Sequence, residues 1–109
     1  MLELWQTEWC PASRRIRERL TELGIDYLTR QVPVDKEQRT ALSEKTGSDT
    51  IPALVADDDT TLIGESDICR YLDVHFPIPA EAEAHRLKAA NARRRYLEEE
   101  CECSQPATH

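Results

Sequence analysis

The chain has 109 residues, of which 39% are hydrophobic and 32% are charged, and its formal net charge is −7. This length predicts one domain with a modest core, and the acidic balance argues against a nucleic-acid partner. No apolar run approaches the length of a membrane span and no signal peptide is apparent, so we expect a cytoplasmic protein without a membrane partner. In that compartment the four cysteines are expected to be mostly reduced.

The N-terminal third of the chain predicts a strand, a helix and a second strand. Apolar residues favour a strand at Leu2–Gln6, and Pro11 suits the first position of a helix that continues to Leu23. Gly24 ends that helix, and the apolar run Ile25–Val32 predicts the second strand. This order implies parallel strands joined by a right-handed crossover.

A second helix and a hairpin are predicted next. Asp35 and Gln38 have the spacing of a capping box, and Gly47 is suited to end the helix that follows. Two apolar runs, at 51–56 and 60–63, flank three consecutive aspartates. This pattern predicts two antiparallel strands joined by a tight turn.

The last predicted elements are a third helix and a long C-terminal helix. The third helix follows Gly64, with Ser66 as its expected N-cap, and ends at two prolines. We expect residues 1–79 to form one α/β domain and residues 80–100 to form the long helix. Residues 101–109 are expected to be a flexible tail.

The residues around the first helix start predict a nucleophilic cysteine. Cys10 directly precedes Pro11, so its thiol lies at a helix N-terminus, where unpaired N–H groups and the macrodipole favour the thiolate. Ser13 and Arg14 lie within one turn, and the charge of Arg14 favours the same state. Trp9 is expected either as a wall of this site or as a core anchor.

Three motifs follow one another along the chain: Cys10-Pro11-Ala12-Ser13, Thr50-Ile51-Pro52 and Gly64-Glu65-Ser66-Asp67. With them, residues 2–77 resemble the glutaredoxins and the N-terminal, thioredoxin-fold domain of glutathione transferases. The resemblance implies an α/β, thioredoxin-like βαβαββα fold, which here would carry a C-terminal helical extension.

The resemblance also implies a binding site for glutathione. The isoleucine of the second motif would precede a cis peptide bond, and its backbone would pair with the cysteinyl part of glutathione. The third motif would bind the γ-glutamyl end, with Asp67 at the α-amino group. The candidate ligand-binding residues are Trp9, Pro11, Ile51, Pro52, Glu65, Ser66 and Asp67. Glutathione or an equivalent thiol is expected as co-substrate, without a metal or a tightly bound cofactor.

One departure from the family decides the expected chemistry. Ser13 stands where dithiol glutaredoxins carry a second cysteine, so a redox cycle at Cys10 must be monothiol. We therefore expect a monothiol glutaredoxin-like thiol–disulfide oxidoreductase that acts on glutathionylated or disulfide-bearing proteins. The alternative is a non-catalytic glutathione-binding or protein-interaction module with a glutathione transferase N-terminal-type fold.

The remaining cysteines are expected to differ from Cys10. Cys69 falls on the apolar side of the third helix and is expected in the core. Cys101 and Cys103 are expected to be unpaired tail thiols, with a resolving or redox-sensing role left open. Trp5, in the first strand, is expected to be a core residue.

Overall fold

The computed structural model describes residues 1–98, so Cys101, Cys103 and the predicted tail at 101–109 lie outside the described residues. Its elements are β1 (Leu2–Gln6), α1 (Pro11–Glu22), β2 (Tyr27–Gln31), a 3₁₀ turn (Lys36–Gln38), α2 (Thr40–Thr46), β3 (Ala53–Val55), β4 (Thr61–Ile63), α3 (Glu65–His75) and α4 (Ala82–Glu98). The order confirms the predicted βαβαββα arrangement followed by a helix.

The four strands form one mixed sheet in the order β2-β1-β3-β4. β1 and β2 are parallel, with Leu2 opposite Tyr27, as the predicted crossover requires. β3 is antiparallel to both of its neighbours, and Leu54 lies opposite Leu4 on β1 and Leu62 on β4. The predicted hairpin is therefore present, and its turn includes Asp59 at a positive φ of 66°.

Two hydrophobic clusters hold the domain together. The larger cluster consists of Leu2, Leu4, Ile16, Leu20, Leu23, Leu54, Ala56, Ile68 and Leu72. It packs α1 and α3 against the sheet, and each fully buried aliphatic side chain stabilises the fold by about 1.5–3 kcal/mol. The smaller cluster consists of Val32, Leu42 and Ala53, with half-buried Trp5 and Ile51 packed against it. Trp5, which was expected to be a core residue, is thus only half-buried.

The predicted capping box at the second helix is wrong. The Asp35 side chain makes no capping hydrogen bond, and α2 begins at Thr40, after Arg39. A buried arginine orders this segment instead, because its guanidinium donates to three backbone carbonyls at 2.8–3.0 Å. Those acceptors are Pro33, Val34 and Asp49. Gly47 ends α2 as predicted, with a left-handed φ of 78°.

The chain divides into two compact units, of which the second begins at Pro79. Within that unit α4 spans Ala82–Glu98, and the predicted continuation to Glu100 lies outside the described residues. The Arg86 guanidinium Nε donates to Glu83 at 3.1 Å, an i,i+3 pair on this helix. No helix among residues 1–98 is both long enough and apolar enough to span a membrane.

Candidate functional site

Cys10 occupies the N-cap position of α1, with Pro11 at the first helical position. Its backbone is extended, and the Ser13 N–H donates to the Cys10 Sγ at 3.5 Å. The thiol therefore takes the place of the side-chain oxygen that normally accepts from the first turn of a helix. This is the geometry that the sequence predicts for a thiolate at a helix N-terminus.

The surroundings of Cys10 lower the pKa of its thiol below the ordinary value. Partial burial raises the pKa, but the Ser13 side chain, the N–H groups of Ser13 and Ala12 and the charge of Arg15 together outweigh it. The Ser13 hydroxyl is buried and has no hydrogen-bond partner of normal geometry. It is thus a donor available to a sulfur that carries negative charge.

Arg14 and Arg15 have different partners. Arg14, the predicted site residue, pairs with Glu18 on its own helix, with Nε and Oε1 3.8 Å apart. Arg15 reaches across to α3 and binds the Glu65 carboxylate with two hydrogen bonds, Nε to Oε2 at 2.5 Å and Nη2 to Oε1 at 2.9 Å. The charge of Arg15 also acts on Cys10. Arg15 therefore joins the site.

A sequence signal for Arg15 did exist. Glu18 stands four residues after Arg14 and three residues after Arg15, whereas Arg19, four residues after Arg15, repels it. A guanidinium with an arginine instead of an acid four residues along its helix is more available to pair with an acid on another element. The identity of that partner depended on how α1 and α3 pack, which no local pattern contains.

The first turn of α3 is built differently from the prediction. Gly64, not Ser66, is the N-cap, and its φ of 91° and ψ of 155° define a conformation that is essentially restricted to glycine. Ser66 is the second residue of the helix and is exposed. Glu65 is tied to α1 as described above, and its pKa is lowered by the hydrogen bonds from Arg15. Asp67 lies 3.8 Å from Arg70 on the same helix.

The second and third motifs meet through the backbone. The Ile51–Pro52 peptide bond is cis, as predicted. Pro52 is buried, and its carbonyl accepts from the Gly64 N–H at 2.9 Å. In the part of the chain that the structure describes, the backbone N–H and C=O of Ile51 form no hydrogen bond. This residue therefore offers an unpaired peptide group next to the start of α3.

Trp9 and Pro11 are the immediate sequence neighbours of Cys10, and both are exposed. The Trp9 side chain is 69% exposed, so the core-anchor hypothesis is wrong and a role as a site wall stays a prediction. Pro11 is exposed at the helix start.

Cys69 has the opposite character to Cys10. It is half-buried on α3 and packs against the larger hydrophobic cluster, close to the position expected for it. Burial raises the pKa of its thiol, and the nearby charges of Glu65 and Asp73 raise it further. The described part of the chain therefore holds one cysteine whose thiolate is favoured and one whose thiolate is disfavoured.

Comparison with known proteins identifies one family model. It is described as "Glutathione S-transferase, N-terminal domain" and matches residues 4–83, most of the chain. The search of curated proteins found no match.

Solved structures with a similar fold include transferases and a glutaredoxin. A glutathione S-transferase from Rhodospirillum rubrum F11 is 24% identical, with 89% of this chain and 45% of that chain covered and a TM-score of 0.62. A glutathione transferase homologue from Sulfitobacter, with bound glutathione, is 19% identical, with coverages of 88% and 49% and a TM-score of 0.63. Glutaredoxin 2 from Salmonella typhimurium, in complex with glutathione, is 19% identical, with coverages of 89% and 46% and a TM-score of 0.61.

At identities this low, the structural similarity establishes the fold alone. The chain spans about half the length of each of the three solved structures. All three contain this thioredoxin-like arrangement, and two of them hold glutathione.

Proposed function

Because this chain belongs to the family of glutathione S-transferase N-terminal domains, we propose that it binds glutathione or an equivalent low-molecular-weight thiol. We further propose that it acts as a monothiol, glutaredoxin-like thiol–disulfide oxidoreductase with Cys10 as the nucleophile. Its substrates are glutathionylated or disulfide-bearing proteins, and it works in the cytoplasm, where Cys10 stays reduced.

One observation carries the proposal: the Cys10 thiol occupies the N-cap of α1 and accepts from the Ser13 N–H at 3.5 Å. The lowered pKa of Cys10 means that a larger fraction is thiolate at neutral pH than in an ordinary cysteine. Thiolate is the species that attacks a disulfide. Cys10 is only half-buried, which supports access of a small ligand to this residue.

The chemistry is two successive thiol–disulfide exchanges. The Cys10 thiolate attacks the glutathione sulfur of a glutathionylated protein, a Cys10–glutathione disulfide forms, and the protein thiolate leaves and takes a proton from water. A second glutathione thiolate then attacks the glutathione sulfur of that mixed disulfide. Glutathione disulfide is released and the Cys10 thiolate is regenerated. Ser13, three residues after Cys10, has no thiol that could attack the mixed disulfide in place of the second glutathione, which supports the monothiol cycle.

The proposed ligand lies across the edge formed by the second and third motifs. The unpaired peptide group of Ile51 is suited to pair with the cysteinyl part of glutathione, as an added strand would. The first-turn N–H groups of α3, near Ser66 and Asp67, are suited to an anionic carboxylate. The hydrogen bond between Gly64 and Pro52 supports this assignment, because it fixes the two halves of the edge to each other.

In this proposal the exposed Trp9 side chain contacts the substrate and contributes to its recognition. A large aromatic side chain that is 69% exposed, next to the nucleophile, offers apolar area to a bound thiol or to the protein that carries the disulfide. Pro11, which follows Cys10 at the first helical position, adds a rigid neighbour.

The test is deglutathionylation of a glutathionylated peptide, coupled to reduction of the glutathione disulfide that forms. We expect turnover by the full chain, none by Cys10→Ser and undiminished turnover by Cys69→Ser. The Cys69 variant is the matched control, because it removes the other thiol of the described domain and leaves the first helix unchanged.

Two results would contradict the proposed reaction. Equal rates for the parent and Cys10→Ser would exclude Cys10 as the nucleophile. Binding of glutathione without any turnover, and without a Cys10–glutathione adduct in the intact mass, would identify a non-catalytic glutathione-binding module instead.

A further inference from the structure

We propose that Arg17 is a positioning residue for Cys10, and that it holds the connection from β1 to α1 so that the Cys10 thiol stays at the N-cap. The connection consists of Thr7, Glu8 and Trp9, which join the end of β1 to Cys10. Arg17 lies about two turns after Cys10 on α1 and acts on the thiol through this backbone. The consequence for catalysis rests on the proposed function, because it concerns the same nucleophile.

The Arg17 guanidinium contacts the end of β1 and the connection that follows it. Nη1 donates to the Gln6 side-chain carbonyl and to the Thr7 backbone carbonyl, the latter at 3.3 Å. Nη2 donates to the Glu8 backbone carbonyl at 3.3 Å and lies 3.6 Å from the Glu8 carboxylate. All these acceptors precede Cys10, so one planar group on α1 holds the chain that leads into the start of that helix.

The backbone of the connection has no anchor in the sheet or in the helix. Among residues 1–98, Thr7, Glu8 and Trp9 form no hydrogen bond with another backbone group. Loss of the guanidinium would therefore leave the Thr7 and Glu8 carbonyls without a donor from the described chain. A segment whose backbone has no partner opens more readily, so the connection would gain conformational freedom.

A buried glutamine fixes the place of the guanidinium. Gln6 is fully buried, and its amide has partners on both sides, since Oε1 accepts from Arg17 and Nε2 donates to the Glu8 carboxylate at 3.0 Å. Gln31, at the end of β2, donates to the same carboxylate oxygen at 3.3 Å. A buried amide without partners is costly, so this network selects one position for Arg17 and Glu8.

The position of the connection determines the geometry of the N-cap. Cys10 has an extended backbone, with φ −73° and ψ 120°, and in this conformation its Sγ accepts from the Ser13 N–H. A single residue, Trp9, separates Cys10 from the Glu8 carbonyl that Arg17 holds. Movement of that carbonyl would therefore redirect Sγ, and its direction decides whether the thiolate keeps its N–H donors.

A second arginine provides an internal control for the loss of such a contact. The Arg39 guanidinium is also largely buried and also donates to backbone carbonyls, those of Pro33, Val34 and Asp49. None of these acceptors belongs to the connection that leads to Cys10. Arg39→Gln therefore removes the same kind of hydrogen bond without touching the nucleophile.

The experiment follows alkylation of Cys10 by iodoacetamide in the full chain, by peptide mass spectrometry between pH 6 and 9. We expect Arg17→Gln to shift the Cys10 rate profile to higher pH and to slow labelling at pH 6 by about threefold or more, because a looser N-cap favours the thiolate less. Arg17→Lys keeps the charge but lacks the planar fork, so the same direction of shift is expected. Arg39→Gln should label Cys10 as the parent does.

Further measurements separate a mispositioned thiol from general loss of structure. Near-ultraviolet circular dichroism and urea denaturation check that each variant is folded and how much stability it has lost. Binding of S-methylglutathione, which cannot form a disulfide, should change little in Arg17→Gln, because the proposed ligand edge lies at Ile51 and the start of α3. Deglutathionylation turnover at neutral pH should fall together with the alkylation rate of Cys10.

Three results would overturn the inference. The first is an unchanged Cys10 rate profile in Arg17→Gln, and the second is an equal shift in Arg39→Gln, which would show that any loss of stability suffices. The third is an Arg17→Lys variant that labels like the parent, since charge alone would then be enough.

The test does not depend on a single variant or on the proposed reaction. Should Arg17→Gln fail to fold, the profile of Arg17→Lys decides the question by the same criterion. If the parent shows no turnover of a glutathionylated peptide while the Arg17 variants still shift the Cys10 profile, the proposed function fails and the positioning of Cys10 by Arg17 stands.

Discussion

Cys10 and Cys69 are chemically identical side chains within one domain, and their surroundings shift their pKa values in opposite directions. At Cys10, N–H donors of the first helical turn and a guanidinium outweigh burial. At Cys69, burial and the charges of Glu65 and Asp73 raise the pKa and together outweigh the charges of Arg19 and Arg15, which lower it. Position in the helix therefore decides which of the two thiols has the lowered pKa.

The first prediction concerns the labelling of these two cysteines. We expect Cys10 to react with iodoacetamide severalfold faster than Cys69 at neutral pH, because a lowered pKa keeps thiolate present as the pH falls and a raised pKa removes it. Peptide mass spectrometry after timed labelling between pH 6 and 9 gives a rate for each residue, including the tail cysteines. A Cys10 rate profile centred on the pH of an ordinary thiol, about 8.5, would contradict the assignment.

The second prediction concerns the Ser13 hydroxyl. Ser13→Ala should raise the pKa of Cys10, because it removes a group that favours the thiolate. At a pH low enough to keep Cys10 protonated, it should not lower the free energy of unfolding, since a buried hydroxyl without a partner costs about 1–3 kcal/mol and gains no hydrogen bond. Thiolate absorbance and urea denaturation measure the two effects.

A hydroxyl deletion elsewhere tests the reasoning about Ser13. The Thr46 hydroxyl donates to the Leu42 carbonyl at 2.9 Å and accepts from the Ser48 N–H at 3.2 Å. Thr46→Val should therefore destabilise the domain by about 1 kcal/mol and leave the Cys10 pKa alone. If Ser13→Ala proves the more destabilising of the two, the hydroxyl has a partner after all.

At the scale of elements, apolar periodicity predicted the strands and helices, whereas their termini followed tertiary contacts. β1 was expected at Leu2–Gln6 and lies there, because alternating burial is a local property of the chain. The capping box predicted at Asp35 is absent, and the segment is held instead by Arg39, which donates to carbonyls as far along the chain as Asp49. Ser66 failed as a cap because Gly64 could adopt a conformation closed to other residues.

The third prediction follows from the conformation of Gly64. A Cβ at Gly64 or at Gly47 would meet nothing within 4 Å, so any cost of adding it comes from the backbone alone. Gly47 is left-handed, where an alanine costs about 1–2 kcal/mol. Gly64 lies in a region that is essentially restricted to glycine, so Gly64→Ala should cost about 2–3 kcal/mol. Urea denaturation of both variants checks this order.

The functional consequence of Gly64→Ala should exceed that of Gly47→Ala. In Gly64→Ala the backbone should move out of the strained conformation, which would shift the start of α3 and the hydrogen bond from the residue 64 N–H to the Pro52 carbonyl. Binding of S-methylglutathione should therefore weaken. Gly47 ends α2, which carries none of the proposed ligand contacts. Equal losses of stability and of binding in the two variants would show that the start of α3 is not specially built.

At the scale of the whole molecule, the candidate site is assembled from three separate stretches of chain. The motifs at Cys10, Ile51 and Glu65 were visible in the sequence because each has a local signature. The contact between Arg15 and Glu65, 50 residues apart, was not visible, because it depends on the packing of α1 against α3. Local patterns thus indicated the three stretches of chain that form the candidate site, and tertiary packing decided which of their residues interact.

The last prediction concerns the proposed domain boundary. Every buried member of both hydrophobic clusters lies between Leu2 and Leu72, and Phe76 is the last side chain packed against them. A chain truncated after Pro79 should therefore keep a single cooperative urea transition, with a slope of about 1 kcal/mol/M for a domain of this size. It should also keep the rapid alkylation of Cys10, whose hydrogen-bonding groups all lie on α1. The comparison is the chain ending at Glu98, measured under the same conditions. A broad, non-cooperative transition in the shorter chain alone would show that residues beyond Pro79 belong to the folding unit.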